Sequence, residues 1–326
     1  MSELPYSAKR PLRIGSRGSP LALVQAEELK RRLAEAHPAL GKSGIIEITV
    51  IKTTGDKVQD RKLMEIGGKG MFTKEIEEAL LAGTIDCAIH SAKDMETWLP
   101  EGLIIGCILP REDPRDALFA KKAKSIAQLP KGAVVGTSSL RRQAQLLALR
   151  PDLKIVALRG NVETRLKKLA AGEVDATLLA IAGLKRLGLA QKAKAVLSPE
   201  EMLPAVAQGA LAIEVRADNE EIRAVLAPLN DAVSERQVTA ERACLAELDG
   251  SCHTPIAALA EPKSDGAAFR LRALIALPDG SKLHDCDWLG SAEDPKALGK
   301  AVGAALKGAA DPSFFKVPAF SKATTS

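Results

Sequence analysis

Leu12-Arg13-Ile14-Gly15-Ser16-Arg17-Gly18-Ser19-Pro20-Leu21-Ala22 sets the grammar of this chain: a strand, a hydroxyl-bearing turn, then a helix. Residues 12–16 read as a short strand. Ser19 is placed to cap a helix over 20–36, and Pro20 occupies the first helical position, where its missing N–H leaves no gap. The same alternation continues downstream. A β-branched strand is expected over 45–51, and a loop at Gly67-Gly68-Lys69-Gly70 leads into a helix over 72–81. Further strands are expected over 85–89 and 103–109, and Pro110 with Pro114 then marks a boundary.

Beyond Pro114 the order repeats without repeating the residues. Val134-Val135 reads as a buried strand, Ser138 and Ser139 cap a helix over 140–149, and 155–158 is a strand. Asn161 caps a helix over 162–171, and 176–181 is again a strand. Alternating elements predict an α/β fold with mainly parallel sheets covered by helices on both faces. From about residue 231 the pattern changes to a long helix over 234–248, three strands over 256–260, 269–277 and 282–288, and a last helix over 294–306. Strands grouped in this way predict a small C-terminal α+β domain. The ends, up to Arg10 and beyond Pro312, read as weakly ordered.

Composition narrows the class. The 326 residues suffice for two or three domains. Aromatic residues make up 3% of the chain and the net charge is +5, which argues against a nucleic-acid binder reliant on stacking. No apolar run reaches the ~20 residues that a membrane span needs. The N-terminal residues lack the basic-then-apolar order of a signal peptide. Five cysteines without regular spacing fit a reducing compartment, so a cytoplasmic protein is expected. Metal-ligand spacing is missing, and His253 and His284 stand apart.

Polar clusters follow the carboxyl ends of the expected strands, where open sheets of this kind bind ligands. They are Arg17 and Ser19, then His90-Ser91-Ala92-Lys93-Asp94, then Thr137, Ser138 and Ser139, then Arg159-Gly160-Asn161. Ser19, Ser139 and Asn161 can equally be plain helix caps. Arg141 and Arg142 open a helix, where a cation is unfavourable by about 0.3–1 kcal/mol unless an anion docks there. Arg159 and Arg165 flank the next helix start in the same way. Lys93-Asp94 reads either as a surface ion pair or as a charged pair that handles protons. Cys252 sits in the polar turn Gly250-Ser251-Cys252-His253-Thr254-Pro255, open to reaction or merely a small buried thiol.

The chain resembles the porphobilinogen deaminase (hydroxymethylbilane synthase) family over essentially its whole length. The resemblance is carried by Ile14–Ala22, Gly67-Gly68-Lys69-Gly70-Met71-Phe72, His90–Asp94, Gly136-Thr137-Ser138-Ser139-Leu140-Arg141-Arg142-Gln143, Leu158-Arg159-Gly160-Asn161-Val162, Ala182-Gly183-Leu184-Lys185-Arg186-Leu187-Gly188, Gln208-Gly209-Ala210-Leu211 and Gly250-Ser251-Cys252. It implies two periplasmic-binding-protein-like domains, one formed by residues 1–110 with 205–228 and the other by 111–204. A third domain, 229–326, would carry the cofactor cysteine.

The implied reaction joins four porphobilinogen molecules head to tail into hydroxymethylbilane with loss of four ammonia molecules. A dipyrromethane cofactor would hang from Cys252 by a thioether, held by Lys93, Asp94, Ser139, Arg141 and Arg142. Arg17, Ser19, Phe72, Arg159, Arg165 and Arg186 would bind substrate, and Asp94 would be the catalytic acid group. The resemblance also allows hand-over of product to uroporphyrinogen-III synthase; a monomer is the default expectation, and composition and the lack of a long apolar run argue against nucleic-acid and membrane partners. Three departures from the family pattern are Ala92, Glu96 and Ala207, the last in place of a common glycine. The rival reading is a two-lobed small-anion binding or sensor protein, which would need the arginines without Cys252 or Asp94.

Overall fold

The computed structural model describes residues 4–57, 72–250, 254–264 and 266–315. Thirteen strands are found among these residues: β1 (Leu12–Ser16), β2 (Ile46–Val50), β3 (Cys87–Ser91), β4 (Leu103–Ile108), β5 (Asp116–Ala120), β6 (Val134–Gly136), β7 (Lys154–Val156), β8 (Ala176–Ala180), β9 (Ala195–Val196), β10 (Leu211–Arg216), β11 (Ile256–Pro262), β12 (Ala268–Ala276) and β13 (Leu283–Ser291). The helices are α1 (Pro20–Ala36), α2 (Thr54–Lys57), α3 (Lys74–Leu81), α4 (Leu140–Leu149), α5 (Val162–Ala171), α6 (Ile181–Arg186), α7 (Glu220–Leu226), α8 (Ala232–Glu247) and α9 (Pro295–Ala309).

Three sheets result, in the orders β2-β1-β3-β10-β4, β7-β6-β8-β5-β9 and β11-β12-β13. The expectation of mainly parallel sheets is corrected here. In the first sheet β1 runs parallel to β2 and β3, while β10 runs antiparallel to β3 and β4. The second sheet repeats this arrangement, with β5 antiparallel to β8 and β9. The cause is a double crossing. The chain leaves the first sheet after β4 to insert β5 into the second, then returns to insert β10 into the first. Each inserted strand enters against the direction of its neighbours.

The two crossing segments lie side by side. Gln208 Nε2 donates to the Pro114 carbonyl at 2.6 Å, the Glu112 amide donates to the Gly209 carbonyl at 3.3 Å, and Arg111 Nε donates to the Gln208 carbonyl at 2.9 Å. Gly209 has a φ of 92°, and a Cβ there would stand 2.2 Å from the Glu112 carbonyl oxygen. Ala207 also has a positive φ, 58°, which costs roughly 1–2 kcal/mol for a residue with a side chain. Its amide is held by Glu241 Oε2 at 2.6 Å. Glu241, fully buried on α8, also accepts from Arg111 and from the Ala260 amide, so one carboxylate ties both crossings to the third domain.

One apolar core joins the third domain to the segment after β3. Ala92, Met95, Ala207 and Ala210 pack with Val238, Leu248, Ile256 and Phe269. The antiparallel third sheet and helices α8 and α9 form the expected small domain.

The expected weak order of the ends is corrected for their described residues, while residues 1–3 and 316–326 lie outside the described residues. Tyr6 is buried in the core of the first sheet, and Phe314 is buried against the third domain. Strand β3 begins two residues later than expected. It runs on through His90 and Ser91 because these pair with Ala212 and Leu211 of β10, and just before it Asp86 accepts from the Arg13 amide, Nε and a terminal nitrogen.

Gly209→Ala should lower the stability read from urea unfolding by at least ~1–3 kcal/mol, because it adds both a strained φ and a backbone clash. An unchanged midpoint would show that the two crossings do not depend on this close approach.

Candidate active site

The local structure places the polar clusters by simple means. Ser19 caps α1 by accepting from the Ala22 amide, Ser139 caps α4 from the Arg142 amide, and Asn161 caps α5 from the Thr164 amide at 2.9 Å. All three therefore fill the modest role that sequence allowed them. Lys93 and Asp94 lie on a single 3-10 turn, Ala92–Asp94, directly after β3. Its buried Ala92 is rooted in the shared core, so the neighbouring Lys93 and Asp94 are carried on a fixed base.

A small pocket is lined by Arg17, Ser19, Gln25, Phe72, Thr73, His90, Ser91 and Asp94, among others. The Arg17 guanidinium stacks 4.2 Å from the centre of the Phe72 ring, a contact worth about 0.5–1 kcal/mol. Gln25, buried on α1, donates to Ser91 Oγ at 2.9 Å and fixes the end of β3.

In the second sheet the structure supplies a buried anion that the sequence reading missed. Asp116 is fully buried at the start of β5 and accepts from Arg141 at 2.7 Å and from a terminal nitrogen of Arg142 at 2.8 Å. Arg142 Nε adds a bond at 3.3 Å, and Gln208 Nε2 a further one at 2.9 Å. Burial alone would raise the Asp116 carboxyl, but the two guanidiniums outweigh it and hold the group well below the usual carboxylate range. The chain's own carboxylate thus supplies an anion at this helix start, beside any ligand that these arginines hold. Arg141 also donates to the Leu203 carbonyl and Arg142 to the Leu178 carbonyl, while buried Arg141 Nε has no hydrogen-bond acceptor among the described residues.

Lys93 joins this network, donating to Gln208 Oε1 at 3.3 Å. Only half-buried by solvent contact, its ammonium is nonetheless enclosed by protein atoms. That enclosure pulls it down to about 8 against the favourable charge of Asp94, with Arg142 and Arg141 adding repulsion. Arg165 is lowered to about 10 by burial and by Arg142, with Asp94 opposing. Its Nε donates to the Gly160 carbonyl at 2.8 Å. Asp94 thus favours, and Arg142 opposes, the charge on both Lys93 and Arg165. Arg159 is half-buried after β7. Arg186 is engaged at the seam between lobes, donating to Glu28 on α1 at 3.4 Å and to the Gly209 carbonyl at 3.1 Å.

Cys252 lies outside the described residues, as do Gly67–Gly70. The chain just before the cysteine is described: the Gly250 carbonyl accepts from Thr97 Oγ1 at 2.8 Å, three residues beyond Asp94. The Asp249 backbone at φ 49° and Gly250 make a tight exit from α8. A polycarboxylate group suits these residues, since Arg17 lines the pocket with Asp94, and Lys93 and Arg165 both lie within reach of the Asp94 charge. No group of three or more potential metal ligands occurs among the described residues.

The cleft can be set beside known proteins. A family model described as porphobilinogen deaminase, dipyromethane cofactor binding domain, matches residues 12–224, and one described as porphobilinogen deaminase, C-terminal domain, matches 236–308. A porphobilinogen deaminase of Paracoccus denitrificans is 54% identical over 97% of this chain and 99% of its own length. A chloroplastic porphobilinogen deaminase of Oryza sativa is 52% identical over 93% of this chain and 85% of its own. Among solved structures, a putative methionine-binding lipoprotein of Bacillus subtilis covers 69% of this chain and 92% of that one at 18% identity, with a TM-score of 0.41.

The lowered Lys93 has a direct readout. Because enclosure favours the neutral amine, Lys93 in protein carrying Cys252→Ser should be acylated with a midpoint near pH 8, below the ordinary 10.5. Mass mapping of the labelled peptide across pH measures this. A midpoint above 10 would contradict the enclosure.

Proposed function

The chain belongs to the porphobilinogen deaminase family, and from that footing we propose how its cleft works. The activity is that of a porphobilinogen deaminase, or hydroxymethylbilane synthase, with a dipyrromethane cofactor, in tetrapyrrole biosynthesis. The rival of a non-catalytic anion sensor gives way to this membership.

In our reading Cys252 carries the cofactor through a thioether, and Lys93, Asp94, Ser139, Arg141 and Arg142 hold it. When bound, that group supplies a priming pyrrole with an open ring position for the first substrate unit. Every pyrrole carries an acetate and a propionate, so the growing chain adds negative charge to the cleft. Arginine forks suit these carboxylates because they are planar and stay charged. Arg17, Arg159, Arg165 and Arg186 bind substrate, with Ser19 adding a neutral hydrogen bond and Phe72 a ring face. Asp116, through its bonds to Arg141, Arg142 and Gln208, keeps these groups oriented before any ligand arrives.

Asp94 is the catalytic group. Porphobilinogen loses ammonia to give a cation whose charge is shared by the pyrrole nitrogen. A fixed carboxylate beside that nitrogen stabilises the cation and excludes the need for solvent to reorganise. Four such condensations, then attack by water, give hydroxymethylbilane and four ammonia molecules. The single observation that carries this reading is geometric: Lys93 and Asp94 share one fixed turn, and Lys93 donates to Gln208, which with Arg141 and Arg142 bonds the buried Asp116.

We further assign residues 1–110 with 205–228 to one domain, 111–204 to a second and 229–326 to a third, supported by the return of β10 to the first sheet. We place the reaction in the cytoplasm, in a monomer that passes product to uroporphyrinogen-III synthase without nucleic-acid or membrane partners. Irregular cysteine spacing and scarce aromatics support this, and among the described residues no helix is long and apolar enough to cross a membrane.

Asp94→Asn keeps the shape of the site and removes its charge. It should bind porphobilinogen with a KM within a few-fold of the parent while kcat falls about 10²–10³-fold. Near-normal ammonia release by this variant would refute the electrostatic role.

A further inference from the structure

A buried titratable cluster behind the pocket has no part in the reading above. On the antiparallel β3–β10 pair, His90 faces Ala212 and Glu214 faces Ala88, so His90 and Glu214 are diagonal neighbours on one sheet face. The His90 Nε2 lies 3.0 Å from Glu214 Oε2, with side chains 5% and 0% exposed. Among the described residues neither Glu214 oxygen nor His90 Nε2 has a well-formed hydrogen bond, so the 3.0 Å approach is a close contact of two otherwise unsatisfied buried groups. Burying a lone carboxylate costs several kcal/mol unless a charge or proton is shared with it. Glu214 therefore depends on the imidazole beside it.

The surroundings strengthen that demand. Glu77 on α3 is buried against the same face, and burial raises its carboxyl, with Glu214 adding repulsion while Thr73 and His90 oppose. Glu96, on the turn beyond Asp94, adds a third carboxylate. Arg242 on α8 feels Glu214 and Glu96 and donates to the Glu96 and Thr97 carbonyls. Arg17, Lys93 and Asp94 face the region from the cleft side. Acids thus outnumber permanent cations behind the pocket wall, and His90 belongs both to this cluster and to the wall that includes Asp94. The other described histidines lie elsewhere: His37 bonds the Val225 carbonyl and His284 packs on Phe314.

The reaction needs such a group. In each condensation the aminomethyl C–N bond breaks and its electron pair leaves with ammonia. A carbon–carbon bond then forms, and the ring carbon attacked by the new unit gives up its hydrogen as a proton. We propose that His90 takes up this proton, and that Glu214 is a positioning residue that acts through the imidazole. The inference rests on the porphobilinogen deaminase reading and adds an acceptor that leaves Asp94 free to remain charged beside the cation.

Chemical rescue tests it on cofactor-loaded protein. His90→Ala should lower kcat for ammonia release from porphobilinogen by about 10²–10⁴-fold with a KM within a few-fold, and added imidazole should restore much of the rate. Glu214→Gln should lower kcat about tenfold, and Glu214→Asp, which keeps the charge, should recover most of it. A near-normal kcat in His90→Ala, or a loss that imidazole fails to repair in folded and loaded protein, overturns the proposal. Should Glu214→Gln fail to fold, the His90→Ala rescue decides alone. Absence of ammonia release by the parent protein would instead refute the functional reading on which the inference rests.

Discussion

The Asp116 carboxylate is the constraint on which the cleft depends. Two guanidiniums and a glutamine amide converge on it in a site closed to water. Breaking a buried pair of this type by removing one partner costs ~3–5 kcal/mol, because an uncompensated charge remains. The arrangement concentrates permanent positive charge at the start of α4, where the helix dipole opposes it, and balances it with the chain's own carboxylate. Lys93 joins the same network through Gln208, so an acid in the second sheet organises cations drawn from both lobes.

Catalysis on a lengthening polyanion calls for a cleft that can adjust while its reacting groups stay fixed. The two crossing segments meet through Gly209 and Glu112, and Glu241 pins both to the third domain. The turn that bears Lys93 and Asp94 shares its core with that domain, and the Gly250 carbonyl just before the cysteine turn bonds to Thr97. Three units are thus tied at one place close to Asp94. Arg186 and Glu28 add a second tie farther along the lobe seam.

Much of this was legible in the residues, and the exceptions have physical causes. Helices α1, α4 and α5 were found at their true bounds because a capping side chain marks each start and the apolar period fixes the rest. The inserted strands were harder. Strand β5 is a short buried run, Asp116-Ala117-Leu118-Phe119-Ala120, without alternation, and periodicity cannot tell such a run from a loop or helix. Its antiparallel entry is a property of the crossing and leaves no local mark. The same holds for β10.

The site was legible in kind and incomplete in partners. Arginines at helix starts signalled an anion, yet the anion nearest them is Asp116, an acid opening an otherwise apolar strand. That pattern was the available signal, and Glu214 within Leu211-Ala212-Ile213-Glu214-Val215 carries the same one. A charged residue amid buried neighbours needs a partner, and sequence alone does not say which.

The account stands or falls on a sulfur-anchored primer seated among these cations. Intact-protein mass spectrometry tests this most directly. Purified active protein should weigh more than its sequence by two linked pyrrole units, and Cys252→Ala should lack that excess. An active protein of unmodified mass would contradict the account.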